Sequence, residues 1–220
     1  RHNLQAPIAI DQFGKLTEIC GKYVGLKVEE ARKKVVEDLQ KLNLIEKIEE
    51  KYTHAVKRCY KCERILEPRI MPQWFVKMKP LAEKAISVIE KDEIIFYPEN
   101  YKKIMLHWLN NIEDWNISRQ IVWGIPIPAY YRGEEVHIGE DMPAGDGWVK
   151  DNDTFDTWFS SGQWPFATLG YPDREDYKKF YPTQVMETAG EIIFFWVARM
   201  IMLGIYRTGK IPFSIVYLHG

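Results

Sequence analysis

The stretch that most constrains the fold is the last one. Thr183 to Met186 predicts a strand, Glu191 to Arg207 a helix, and Ser214 to Leu218 a second strand. Strand, helix and strand this close together make a βαβ unit, with parallel strands joined by a right-handed crossover. The chain is therefore expected to be an α/β protein. Glu191 to Tyr206 is also its most hydrophobic run. Arg199 interrupts that run, which falls short of the roughly 18–20 apolar residues of a membrane span. A helix apolar on nearly all sides is a core helix, so no membrane partner is expected.

Upstream, Ala31, Val35, Val36, Leu39 and Leu42 fall at helical spacing and predict an amphipathic helix from Val28 to Leu42. The charge run Lys41 to Lys51 reads as a helix end and turn. Tyr52 to His54, Ile65-Leu66 and Trp74 to Val76 read as extended, with Cys59-x2-Cys62 between them. Lys79-Pro80 opens a helix to about Ile89, proline suiting a first turn. Ile94 to Tyr97 predicts a strand and Glu99 to Asn110 a helix. Residues 111–150, rich in proline and glycine, read as a small β insertion with strands at Ile127 to Tyr131 and Glu135 to Ile138.

A chain of 220 residues makes one large domain or two small ones, and 46% apolar residues suffice for a substantial core. A net charge of −1 neither supports nor excludes a nucleic-acid partner, because phosphate affinity rests on local Lys/Arg patches. Cys20, Cys59 and Cys62 do not make a secreted disulfide framework, and a reducing cytoplasm fits them better. The first residues carry neither an apolar signal region nor a starting Met, so the chain is read as cut from something longer or incomplete at its front.

Two segments carry the chemistry. Asp153 to Pro165 gathers two acids, two serines and two tryptophans, which suits either a helix N-terminus with aromatic packing or a ligand wall. Thr188 to Met200 is a strand that feeds a glycine-containing turn into a helix. In open α/β sheets, ligands sit outside the carboxyl ends of the strands, where helix N-termini offer free N–H groups to phosphates. Thr188-x-x-Glu191 also has the spacing of a capping box.

Asp156-Thr-Trp-Phe-Ser-Ser161, Trp164-Pro165, Thr168-Leu-Gly170, Ile192-Ile-Phe-Phe-Trp-Val-Ala-Arg-Met200 and Tyr217-Leu-His-Gly220 together resemble the valyl-tRNA synthetases, which are class I aminoacyl-tRNA synthetases. Gln73 to Met78, Trp115 to Gln120, Trp123-Gly124 and Ile127 to Tyr130 belong to the same pattern, in the family's order. The Trp-Phe-Asp-Ser-Gly run of isoleucyl enzymes is absent. The resemblance implies the second half of a class I Rossmann-like catalytic domain at 111–220. A connector with the Cys pair would occupy 58–110, and the tail of an inserted editing domain 1–57. It implies activation of L-valine with ATP and Mg2+, and transfer to tRNA(Val). Editing of mischarged threonine accompanies this, because a hydrophobic valine pocket cannot strongly reject threonine. A monomeric cytoplasmic enzyme is expected. The rival readings are isoleucyl or leucyl specificity, and a non-catalytic tRNA-binding module.

By the same resemblance, Trp158, Trp196 and Ile192 wall the amino-acid side-chain pocket; otherwise both tryptophans are core residues. Glu191 offers a carboxylate to the ribose or to the substrate ammonium, or closes the capping box. The family usually has Asp at that position, and Gly where Ala189 stands. Gly190, His219 and Gly220 border the ATP site. The Lys-Met-Ser-Lys-Ser loop is not in the sequence, the His-Ile-Gly-His motif is expected upstream of it, and His137-Ile138-Gly139-Glu140 is a chance match. No catalytic residue is assigned. Cys59 and Cys62 are half of a structural zinc site, which needs four ligands; His54 is a candidate third, and a partner pair would lie elsewhere. Lys102, Lys103, Lys178 and Lys179 face tRNA or are simply solvated.

Overall fold

A computed structural model describes residues 4–60 and 62–220. Packing divides the chain once, into Arg1–Pro72 and Gln73–Gly220. Residues 73–110, expected in a connector, thus pack with residues 111–220.

The first unit has little regular structure. A 3-10 turn at Glu18–Tyr23 precedes helix α1, Val28–Lys41, as its apolar spacing predicts. Glu29 and Glu30 in the first turn and Lys41 in the last complement the helix dipole. Asp38 on α1 pairs with Lys22 at 2.6 Å and accepts the Tyr23 hydroxyl at 2.9 Å, fastening the turn to the helix. The extended stretches expected at Tyr52–His54 and Ile65-Leu66 form no strand; Ile65 makes only an isolated bridge to Arg58.

The second unit opens with strand β1, Phe75–Val76, and helix α2, Lys79–Glu90, with Pro80 in its first turn. Strand β2, Ile95–Tyr97, and helix α3, Asn100–Asn110, follow. Short strands β3, Trp115–Asn116, and β4, Ser118–Arg119, lead into the β insertion. The insertion is an antiparallel sheet of β5, Ala129–Arg132, flanked by β6, Glu135–Ile138, and β7, Val149–Lys150. Strand β8, Thr154–Phe155, and helices α4, Thr157–Ser161, α5, Trp164–Ala167, and α6, Glu175–Phe180, come next. Strand β9, Thr183–Ala189, helix α7, Ala198–Thr208, and strand β10, Phe213–His219, complete the chain.

β2, β10 and β9 form a parallel sheet in that order. The α/β expectation and its βαβ unit are therefore borne out, and β2 adds the third strand. Ile89 of α2, Met105 of α3, Ile201 of α7 and Val216 of β10 are wholly buried in one core. Each such side chain contributes about 1.5–3 kcal/mol through the area it removes from water. Gly209 ends α7 in the left-handed region, φ 73°, and its N–H reaches the Ile205 carbonyl at 3.0 Å. A side chain there would strain the backbone, which is why glycine suits this cap.

Two expectations need correction. β9 runs on to Ala189, so Thr188 lies in the ladder opposite Leu218 rather than at a helix cap. No capping box forms: Ala189 takes the N-cap place, and no side chain bonds the cap. The single helix expected from Glu191 to Arg207 is three pieces: a 3-10 turn, Gly190–Ile192, a π turn, Ile193–Val197, and α7. An i→i+5 turn adds a residue to the coil and re-aims the side chains around it.

Candidate functional site

The carboxyl ends of the parallel strands gather four of the expected residues. His219 of β10 pairs in register with Ala189 of β9, so Gly190, Glu191, His219 and Gly220 lie at two neighbouring strand ends. The third strand leads through residues 98 and 99 into α3, and Tyr101 in its first turn packs on Gly190. A Cβ at Gly190 would run into the Tyr101 hydroxyl and stand 2.9 Å from the ring carbon that bears it. A side chain at this position would have to displace the tip of the Tyr101 side chain. His219 Nε2 meets Glu187 Oε1 at 3.0 Å. Glu191 is exposed.

The two tryptophans meet further on, at α4. The π turn sends three successive aromatics to different neighbours. Phe194 stacks on Trp108 at 5.1 Å between ring centroids. Phe195 stacks on Trp158 at 5.7 Å. Trp196 donates its indole N–H to the Ser161 carbonyl at 3.0 Å. Trp158 and Ser161 both belong to α4, so Trp158 and Trp196 meet the same short helix. Both rings are half-buried, as is Ile192. Trp158 and Trp196 rest against the core yet keep surface outside it.

Sequence reasoning quoted Asp156 and Arg119 within motifs and missed what joins them. Asp156 is the N-cap of α4: its Oδ1 accepts the Trp158 amide at 3.1 Å. Its Oδ2 accepts the Trp115 indole N–H at 2.9 Å and Arg119 Nη2 at 2.6 Å. Arg199 Nη1 lies 3.9 Å from the same oxygen, and its guanidinium stands 3.8 Å above the Trp115 ring. Burial pulls Arg199 down to about 10; Asp156 opposes that shift and Arg119 adds to it. The available signal was Asp-x-Trp at a helix start, an N-cap spacing. A cavity of about 460 Å³ beside Trp108, Trp115 and Arg199 includes none of the expected pocket residues.

Cys59 and Cys62 lie in the first unit. A tight turn carries Cys59, with its N–H on the Arg64 carbonyl at 2.9 Å and the Glu63 N–H on its carbonyl at 2.8 Å. No group of three His, Cys, Asp or Glu side chains gathers as a metal site among the described residues. His54, the candidate third ligand, stacks on Tyr52. The donors among the described residues do not by themselves fit a tetrahedral zinc ion. Lys102 pairs with Asp92, Lys178 with Glu175, and Lys179 lies over the Phe180 ring. His137-Ile138 belongs to β6 of the insertion. Among the described residues, no helix is long and apolar enough to cross a membrane.

A family model described as tRNA synthetases class I (I, L, M and V) matches residues 24–145 and 138–220. The chain belongs to this family. Within the class I synthetases, its whole length is 52% identical to a valine–tRNA ligase of Petrotoga mobilis. It is 47% identical to one of Geobacillus kaustophilus and 46% to one of Thermotoga maritima. It covers 26% of each, so it spans about a quarter of the length of these curated relatives. Mycobacterium tuberculosis methionyl-tRNA synthetase bound by methionyl-adenylate shares the fold. Its TM-score is 0.52 at 16% identity, over 75% of this chain and 29% of that one. The resemblance read from the sequence is borne out.

Proposed function

We propose that this chain serves a valine–tRNA ligase, forming its amino-acid pocket and one edge of its ATP site. The observation that carries this is the bond of Trp196 to the helix that carries Trp158, in the π turn that follows directly on Gly190 at the end of β9. Valine offers little beyond shape and burial for recognition, and rigid aromatic walls select on both. Relatives that are valine–tRNA ligases support valine over isoleucine or leucine.

In this reading Trp158, Trp196 and Ile192 hold the side chain, and Glu191 meets the ammonium or the ribose. Gly190, His219 and Gly220 border the nucleotide, where the first N–H groups of a helical run lack internal partners. The valine carboxylate attacks the α-phosphorus of ATP, and pyrophosphate leaves. A terminal hydroxyl of tRNA(Val) then attacks the activated carbonyl, and AMP leaves. Mg2+ enters with the phosphates of ATP, its usual mode in such sites. The protein contributes position and charge stabilisation rather than a covalent nucleophile. Residues 1–57 belong to an editing domain and 111–220 to the catalytic domain, to whose sheet β2 of the expected connector adds a strand. The Cys pair meets zinc only if further ligands come from outside it. A cytoplasmic monomer is the expected form.

ATP–pyrophosphate exchange by the full-length chain carrying this sequence tests the reading. Valine is expected to stimulate exchange above isoleucine and leucine. Stimulation by isoleucine and not by valine overturns it.

A further inference from the structure

Asp156 is the one buried acid among the described residues, its side chain 7% exposed. A buried carboxylate is costly unless its lone pairs are used, and this one accepts three hydrogen bonds. One oxygen accepts the backbone amide of Trp158; the other accepts Trp115 and Arg119. The ring of Trp158 leads back to the same place. It stacks on Phe195, Phe195 lies 5.7 Å from the Arg199 guanidinium, and Arg199 reaches Asp156. The backbone of Trp158 is thus bonded directly to the carboxylate, and its ring rests on Phe195 beside the guanidinium that stands 3.9 Å from the same carboxylate. The ties come from β3 and β4, from α4, and from the helix that follows the π turn.

We propose that Asp156 is a positioning residue for the amino-acid substrate, fixing Trp158 against the π turn that carries Trp196. The proposal rests on the reading that these tryptophans wall the pocket. An amide in place of the carboxylate has one acceptor oxygen, so it serves the Trp158 N–H or the Arg119 side, not both. The helix still forms, but the wall shifts. A small misplacement at a shape-selective wall falls on substrate binding, not on the nucleotide.

The test measures KM for valine and KM for ATP in the exchange reaction of the full-length chain, per titrated active site. Asp156→Asn is expected to raise KM for valine by about tenfold, and Arg119→Lys by about threefold, with KM for ATP within about twofold. Arg119 is partly exposed, so Arg119→Lys carries the test if Asp156→Asn does not fold. A merely structural role lowers the yield of active sites and the melting temperature while leaving both KM values alone; that result overturns the proposal. Trp158→Ala separates the two levels. If it raises KM for valine and the other two variants do not, only this inference falls. If it leaves KM for valine unchanged, the pocket reading falls and takes this inference with it.

Discussion

Residues 1–72 and 73–220 use similar side chains to different ends. In the first region, Ala31 is the only buried hydrophobic among the described residues, while Leu4, Phe13 and Leu44 are each more than two-thirds exposed. In the second, α2, α3 and α7 enclose Ile89, Met105 and Ile201 against a parallel sheet, all at zero exposure. Helix α1 is as amphipathic as its counterparts, yet has little to bury its apolar face against. Local pattern makes a helix; only a second layer makes a core. The proposed site draws on the region with the core, where side chains can be held to a fraction of an ångström.

The sharpest way to break this contrast is to truncate a side chain in each region. Ile201→Ala should cost about 2–5 kcal/mol in urea unfolding, because it empties space that close-packed neighbours cannot fill. Leu44→Ala should stay within about 0.5 kcal/mol. Equal losses would mean that residues 1–72 hide a core of their own.

The next effect lies at the junction of strand ends. Gly190→Ala should cost about 1–3 kcal/mol, since a methyl group must push the tip of the Tyr101 side chain out of its place. In a Tyr101→Ala background the cost should largely vanish. Additive losses in that double-mutant cycle would show that another contact requires the glycine.

Trp158→Ala should then slow valine activation by well over tenfold, more than about 1.4 kcal/mol in the barrier. Phe13→Ala, in the region without a core, should leave exchange within about twofold. A rate unchanged by Trp158→Ala would return that ring to plain packing.

Much of this contrast was legible in the sequence. Thr183 to Leu218 announced strand, helix and strand through apolar runs punctuated by glycine and proline, and Lys79-Pro80 announced α2. Legibility ended where partners are remote or register is subtle. A π turn needs one residue more per turn than an α-helix, and Ile193 to Val197 are apolar in either register. Thr188 imitated a cap because spacing does not report that the ladder with β10 already claims its backbone. Asp156 and Arg119 stand 37 residues apart, and nothing local in either motif points to the other.

The smallest expected effect concerns two carboxylates, one in each region, that are both held below their ordinary value. Asp11 lies near the surface, and backbone N–H groups, first that of Lys15, stabilise its charged form. Asp151 is partly buried. Burial pushes its carboxyl up, but the Tyr131 hydroxyl at 2.6 Å, the Trp74 indole at 2.8 Å and the Asp153 amide together outweigh that. Burial, then the bond to Asp151, drives the Tyr131 phenol up to about 12. For a depressed carboxylate, the folded state binds fewer protons than the unfolded chain. Its contribution is therefore complete above the ordinary value of 3.8 and is lost as pH falls through the lower folded value. Asp151→Asn should cost about 1 kcal/mol at neutral pH, through weakened bonds from Tyr131 and Trp74. The gap from the parent chain should narrow as pH falls below about 4, where the parent's own carboxyl takes up its proton. Asp11→Asn should leave the melting curve nearly unmoved at every pH, because water competes for the same bonds. Thermal melts at a series of pH values separate the two. A gap that widens in acid for Asp151→Asn would mean that the carboxyl binds its proton more readily folded than unfolded. Burial would then outweigh its hydrogen bonds.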